Sequence, residues 1–316
     1  MRTNHRLAQL WLDALATELG AAAGTIDTYT DDLNCYLAWL GEKSLRLDDV
    51  GLDHVRNYIA ALDHRGYAGS TIARRITVIR NLHRFLIAEE LGSSDPTSTM
   101  PAMKRPRKLP FVLSIAETEA LLETAHTLAA DPSVGLYRQA GYARRAALFE
   151  TLYASGMRIS EALSLPSDAA RPDTRMLMVR GKGDKQRLVP LHDRAIAAIA
   201  HWQKLAGGYS GGKPTQWLFH SVRNGAKALT RQAALLEIKE AAVAAGLASP
   251  DRVSPHVLRH AIATHMHSGG TDLRVLQELL EHAGIETTQI YTHLDTSRLH
   301  QMVRDLHPLN TQSVPD

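Results

Sequence analysis

The chain has 316 residues, 44% apolar and 22% charged, an ordinary globular balance with room for two domains that each bury a core. Those proportions exclude a disordered tail protein and a collagen-like one. The net charge of +3 permits nucleic-acid binding without requiring it, and its distribution says more: residues 1–99 hold ten Lys/Arg against thirteen Asp/Glu, so the remainder carries +6.

No run of about 18 apolar residues occurs, so no membrane-crossing helix is expected. The start, Met1-Arg-Thr-Asn-His, runs into a polar amphipathic segment without the apolar core of a signal peptide. The single Cys35 excludes a disulfide framework and a thiolate zinc cluster, which points to a reduced, cytoplasmic compartment.

In chain order, hydrophobic periodicity predicts four helices, at roughly 3–19, 25–41, 52–65 and 70–90. In the last, Ile72, Ile76, Ile79, Leu82 and Leu86 form one apolar stripe. Arg74, Thr77, Arg80, Asn81 and Arg84 fall on the opposite side. Such a face suits a DNA groove, where guanidinium groups meet phosphates or guanine edges; equally, it suits a solvated helix surface. Ser93 to Pro110 carries four prolines and little apolar periodicity, and reads as a linker. Its cations Lys104, Arg105, Arg107 and Lys108 either cross a phosphate backbone or are merely solvated. The predicted organisation is therefore a helical domain over 1–99, a basic linker over 100–110 and a second domain over 111–316.

Beyond the linker the pattern is mostly helical, with one exception. Arg175 to Leu191 holds two short β-prone runs around Gly181-Lys-Gly-Asp184, which predicts a hairpin with Lys182 at its tip. Helices are expected again at about 193–206, 228–246, 256–268, 272–281 and 286–291, followed by a polar tail after Leu306. No solenoid repeat is visible.

Three segments stand out together: Tyr153-Ala-Ser-Gly-Met-Arg-Ile-Ser-Glu-Ala-Leu163, Ser254-Pro-His-Val-Leu-Arg-His-Ala-Ile-Ala-Thr-His265 and Leu279-Leu-Glu-His-Ala-Gly-Ile-Glu-Thr-Thr-Gln-Ile-Tyr-Thr-His293. With them, the chain resembles the tyrosine recombinases of the phage integrase family, and within it the Xer type. That family's six active-site positions fall here on Arg158, Lys182, His256, Arg259, His282 and Tyr291, the tyrosine standing nine residues beyond the last His. The resemblance extends to Ser70-Thr-Ile-Ala-Arg-Arg-Ile, to the hairpin and to Thr230-Arg-Gln, hence over nearly the whole chain. One position departs: Glu281 stands where a small residue commonly precedes the family's His. Adjacent helical residues diverge by about 100°, so this carboxylate can point away from a phosphate.

The resemblance implies a mainly α protein that encircles DNA. It would have an N-terminal four-helix SAM-like domain and a mostly helical catalytic domain with a small β element. It implies site-specific cutting and rejoining through a 3′-phosphotyrosine at Tyr291, with Lys182 protonating the leaving 5′-oxygen and His282 bracing the scissile phosphate. It also implies double-stranded DNA as partner, a second Xer-type recombinase in a heterotetramer or self-association on DNA, and a septal DNA translocase. The role would be resolution of chromosome dimers at cell division. Thr230 and Arg231 join Arg74, Arg80, Arg84 and the linker cations as candidate DNA contacts.

The chemistry is coherent in itself. Attack on a phosphodiester builds negative charge on the non-bridging oxygens, and Arg158 and Arg259 each offer a fork of donors. His256 lies one turn from Arg259, so both reach one spot, and it is the nearest acid/base candidate for the tyrosine hydroxyl. No metal or cofactor is required, since the cations are side chains. Taken singly, each residue has a bland reading: Arg158 as an ion-pair partner of Glu161, Lys182 as a turn lysine, Tyr291 as a packed aromatic. Their joint order and spacing outweigh those readings. A zinc site on His256, His260, His265 and His267 lacks the glutamate a zinc hydrolase would place between its histidines, so the last three are expected to be packing or surface groups. A catalytically inert DNA-binding relative and a mobile-element integrase are the remaining alternatives.

Overall fold

The computed structural model describes residues 3–18, 20–100, 111–170, 175–180, 186–209, 215–223 and 227–271. The chain divides into two compact units, Met1–Leu109 and Pro110–Asp316.

The first unit is built from α1 (Asn4–Thr17), α2 (Ala23–Glu42), α3 (Leu52–His64) and α4 (Gly69–Ala88). The Thr3 hydroxyl caps α1 by accepting from the Arg6 N–H at 3.3 Å, satisfying one of the donors a helix start leaves open. The α4 stripe at Ile72, Ile76, Ile79, Leu82 and Leu86 is buried throughout, each side chain contributing roughly 1.5–3 kcal/mol. It packs with Leu7, Trp11, Leu33, Leu37, Val55 and Leu62 in one core. Tyr36 and Trp39 both lie against Tyr58, with ring centroids 5.0 and 5.4 Å away.

The linker reading is corrected at its start. Pro96 and Thr97 are buried, and Met100 packs on the core of the first unit. The Asp95 carboxylate accepts from the Thr97 N–H at 2.8 Å and from its hydroxyl at 2.7 Å, folding the segment back. Residues 93–100 thus extend the helical unit. The cations of residues 104–108 lie outside the described residues.

In the second unit α5 (Ile115–Ala130) opens with a capping box, Ser114 and Glu117 exchanging bonds. The helix α6 (Leu136–Ser155) is buried on every side from Ala143 onward, marking it as the central element. It packs against α5, α8 (Asp193–Tyr209) and α10 (Pro255–Ser268). The short α7 (Ile159–Leu163) follows, then β1 (Met176–Arg180) and β2 (Gln186–Pro190). These pair antiparallel, from Met176 opposite Pro190 to Arg180 opposite Gln186, so they form the expected hairpin. Leu177 and Val179 face the core while Met178 faces out, the alternation a half-covered strand requires.

The helix expected at 228–246 is α9 (Arg231–Ala244). It starts later because Ala228 pairs with His220 and Leu229 donates to the Phe219 carbonyl at 2.9 Å, leaving Thr230 as the cap. The segments 272–281 and 286–291 lie outside the described residues.

Candidate active site

Residue 156 ends α6 with φ +58°, a left-handed conformation that glycine adopts without steric cost. Its N–H still closes onto the Leu152 carbonyl at 2.9 Å, while its own carbonyl turns outward. That carbonyl accepts a 2.5 Å hydrogen bond from Nη1 of Arg259, which projects from α10 more than a hundred residues later. Two residues beyond Gly156, a reach of roughly 7 Å, Arg158 occupies the N-cap of α7. This hydrogen bond anchors the Arg259 guanidinium beside the turn that leads to Arg158.

Arg158 is held locally. The Glu161 carboxylate accepts its backbone N–H at 2.8 Å and its Nη1 at 3.3 Å. Glu161 is almost buried, whereas the Arg158 side chain is 49% exposed, so the guanidinium is steered from below and open to an approaching anion. The structural pairing and the functional reading of Arg158 are compatible. Sequence reasoning met Glu161 only as a partner; its position three residues on in a capping arrangement was the available signal.

Ser254 caps α10, its hydroxyl accepting from the Val257 N–H at 3.3 Å. His256, at the start of this helix, is exposed, one turn from Arg259. The other histidines of α10 divide as expected. His260 and His267 are exposed, and His265 is buried, with Nδ1 2.9 Å from the Tyr153 hydroxyl and Nε2 2.8 Å from the Leu113 carbonyl. Both ring nitrogens of His265 are thus engaged inside the protein. Burial holds its pKa below the usual value for histidine.

A buried polar cluster stands where the chain leaves β2. Glu150 of α6, fully enclosed, meets His126 Nε2 at 2.7 Å and Arg194 Nε at 2.5 Å, with His192 Nε2 3.6 Å away. His192 follows β2 by two residues, so this cluster fixes the exit of the strand from the predicted lysine hairpin. Sequence reasoning missed it, since its members come from three elements. Lys182, His282 and Tyr291 lie outside the described residues.

Each of the three candidate DNA-contacting arginines of α4 has an internal partner. Arg74 pairs with the buried Asp32 at 2.5 Å, Arg80 donates to the Met100 carbonyl at 3.2 Å, and Arg84 lies 3.9 Å from Asp95. Arg75, not singled out from sequence, shares Asp32 at 3.3 Å and sits over the Tyr67 ring. Arg84 is the most open of these, 66% exposed. Thr230 and Arg231 are exposed at the start of α9, the Thr230 hydroxyl accepting from the Ala233 N–H at 3.1 Å.

Comparison with known proteins shows the family to which the chain belongs. Residues 112–298 match the phage integrase family, and residues 8–90 match the phage integrase N-terminal SAM-like domain. The tyrosine recombinase XerD of Bradyrhizobium diazoefficiens is 42% identical over 309 residues, covering 96% of both chains. The XerD of Caulobacter vibrioides is 41% identical over 304 residues, again covering 96% of each. Among solved structures, XerH recombinase bound to palindromic difH in a post-cleavage complex superposes with a TM-score of 0.67 at 23% identity, over 96% of this chain and 84% of that one. A lambda integrase dimer bound to a COC′ core site gives 0.64 at 17% identity, over 92% and 77%.

Proposed function

Because the chain belongs to the phage integrase family of tyrosine recombinases, we propose that it breaks and rejoins DNA at a specific site through a phosphotyrosine on Tyr291. It is a site-specific recombinase of the Xer type. The observation that carries the mechanistic reading is the bond from Arg259 to the Gly156 carbonyl, which sets a second arginine beside the loop of Arg158.

In this reading the scissile phosphate lies over the two guanidinium groups, which neutralise the charge that grows on its non-bridging oxygens. His256, exposed on the same helical face, exchanges a proton with the Tyr291 hydroxyl as it attacks. Tyr291 becomes esterified to the 3′-phosphate while the 5′-oxygen leaves with a proton from Lys182. His282 hydrogen-bonds the phosphate. Attack by a 5′-hydroxyl of the partner strand then returns the tyrosine and closes the new junction.

The partners in this proposal are double-stranded DNA, a second Xer-type recombinase on the same synaptic complex and a septal DNA translocase. The role is resolution of chromosome dimers in the cytoplasm at cell division. What supports it is the 42% identity to a XerD over nearly the full length. Among the described residues no helix is long and apolar enough to cross a membrane.

The test is covalent trapping. A duplex nicked beside the cleavage position loses its short product, so a tyrosyl adduct accumulates and survives denaturing electrophoresis. The native chain is expected to form it, and Tyr291→Phe to bind the same DNA with little change in affinity and form none, since one hydroxyl is a small share of a mainly electrostatic interface. An adduct in the variant removes Tyr291 from the role. Binding by the native chain without any adduct identifies an inert DNA-binding relative.

A further inference from the structure

The last turn of α6 and the helix α10 are joined at two points. One is the Gly156–Arg259 bond at 2.5 Å. The other is the Tyr153 hydroxyl, 2.9 Å from His265 Nδ1. The Leu113 carbonyl 2.8 Å from Nε2 can only accept, so Nε2 carries the proton and donates. In a neutral ring Nδ1 is then an acceptor, and the Tyr153 hydroxyl donates to it. All three residues are buried, so water does not compete for these bonds.

Six residues, roughly 9 Å of helix, separate Arg259 from His265 on α10. Apolar packing alone tolerates small rotations of a helix about its axis. A hydrogen bond is directional and weakens steeply off line, and a second one further along the helix removes the rotation that the first still allows. The groups at stake are at the other end of α10: His256, and the long guanidinium arm of Arg259.

We propose that Tyr153 and His265 are positioning residues of the recombination site, their hydrogen bond fixing the rotation of α10 and so the place where Arg259 and His256 meet the scissile phosphate. This rests on the functional reading given above. Neither residue touches the reacting atoms. A separate bond, from His265 Nε2 to the Leu113 carbonyl, ties α10 to the first residues of the second unit.

The experiment compares Tyr153→Phe, His265→Gln and the double variant in full-length protein. The glutamine amide nitrogen replaces Nε2 as donor to the Leu113 carbonyl, while no acceptor is left at the Nδ1 position that meets Tyr153. Adduct formation is timed in a single turnover at saturating suicide DNA, at a temperature where circular dichroism shows each protein fully folded. Each single variant is expected to react about 10-fold more slowly, since displacement of a catalytic group by about 1 Å costs about 100-fold and a smaller shift costs less. DNA affinity should stay within about 2-fold, and the double variant should be no slower than the worse single one, because both remove one bond. A 5′-bridging phosphorothiolate, which leaves without protonation, should not restore the rate.

Native rates in both single variants overturn the proposal. So does a loss that follows the folded fraction or the affinity, which marks a merely structural contact, and so does rescue by the phosphorothiolate, which places the defect in the acid. Should Tyr153→Phe fail to fold, His265→Gln alone decides. If the native chain itself forms no adduct, the recombinase reading fails, an outcome visible before any variant is compared.

Discussion

Arg158 combines an internal ion pair with a proposed contact to the scissile phosphate. Its backbone N–H and one guanidinium nitrogen are given to Glu161, and this anchoring lets an otherwise flexible side chain present its remaining donors in a fixed direction. The division of labour with Lys182 can be tested chemically. Lys182→Ala should slow cleavage of ordinary DNA by about 100-fold or more, the usual worth of a general acid, and cleave a 5′-bridging phosphorothiolate at close to the native rate. Arg158→Ala should show no such rescue, because its proposed work is on the non-bridging oxygens. Equal rescue of both variants in a single-turnover assay would show that the acid has been misassigned; the neighbouring Lys185 would be the next to test.

At the scale of elements, α4 is the most informative. Its stripe was readable from spacing, whereas the fate of its arginines was not: Asp32 comes from α2, more than forty residues earlier, and the pairing of Arg74 and Arg75 with it is a product of helix packing. The same helix carries a buried histidine. His83 lies 3.3 Å from the Tyr36 hydroxyl, and burial pushes its pKa down to about 4, against an opposing pull from Asp95. The unfolded chain takes up this proton near pH 6.5 and the folded chain only near 4, so the unfolded state binds more protons in between. Stability of the first unit should therefore fall as pH drops through that window, by about 3 kcal/mol from this residue, and be indifferent to it above. His83→Gln, which keeps a hydrogen bond to Tyr36 and cannot charge, should flatten that part of the profile in urea unfolding. A slope unchanged by the substitution would show that His83 titrates normally.

For the molecule as a whole, the charge asymmetry between the halves is the relevant quantity. The first 99 residues are net acidic and the remainder carries the positive excess, so the linker and the second unit are the proposed source of electrostatic attraction to DNA. Replacing Lys104, Arg105, Arg107 and Lys108 by alanine should lower the steepness of log affinity against log salt by about 3 to 4 if each neutralises one phosphate, and leave the preference among DNA sequences unaltered. An unchanged salt slope would mean these cations are only solvated. In the proposed mechanism Arg158, Arg259 and Lys182 take the electrostatic role a metal ion plays elsewhere, so cleavage should also persist in EDTA. Loss of the adduct in chelator, restored by zinc, would contradict this.

Local signals in the sequence were enough for the helical class, for most helix bounds and for the hairpin, because periodicity, caps and turn glycines act over a few residues. The order of Arg158, Lys182, His256, Arg259, His282 and Tyr291 likewise stood in the sequence as a pattern. The folding of residues 93–100 onto α4, the Glu150 cluster, the internal pairing of Arg74 and the bonds from α10 to Gly156, Tyr153 and Leu113 were decided by the tertiary structure. Each joins side chains or carbonyls separated by tens to more than a hundred residues. A hydrogen bond depends on distance and direction in space, and a linear spacing specifies neither once it exceeds a few turns of helix.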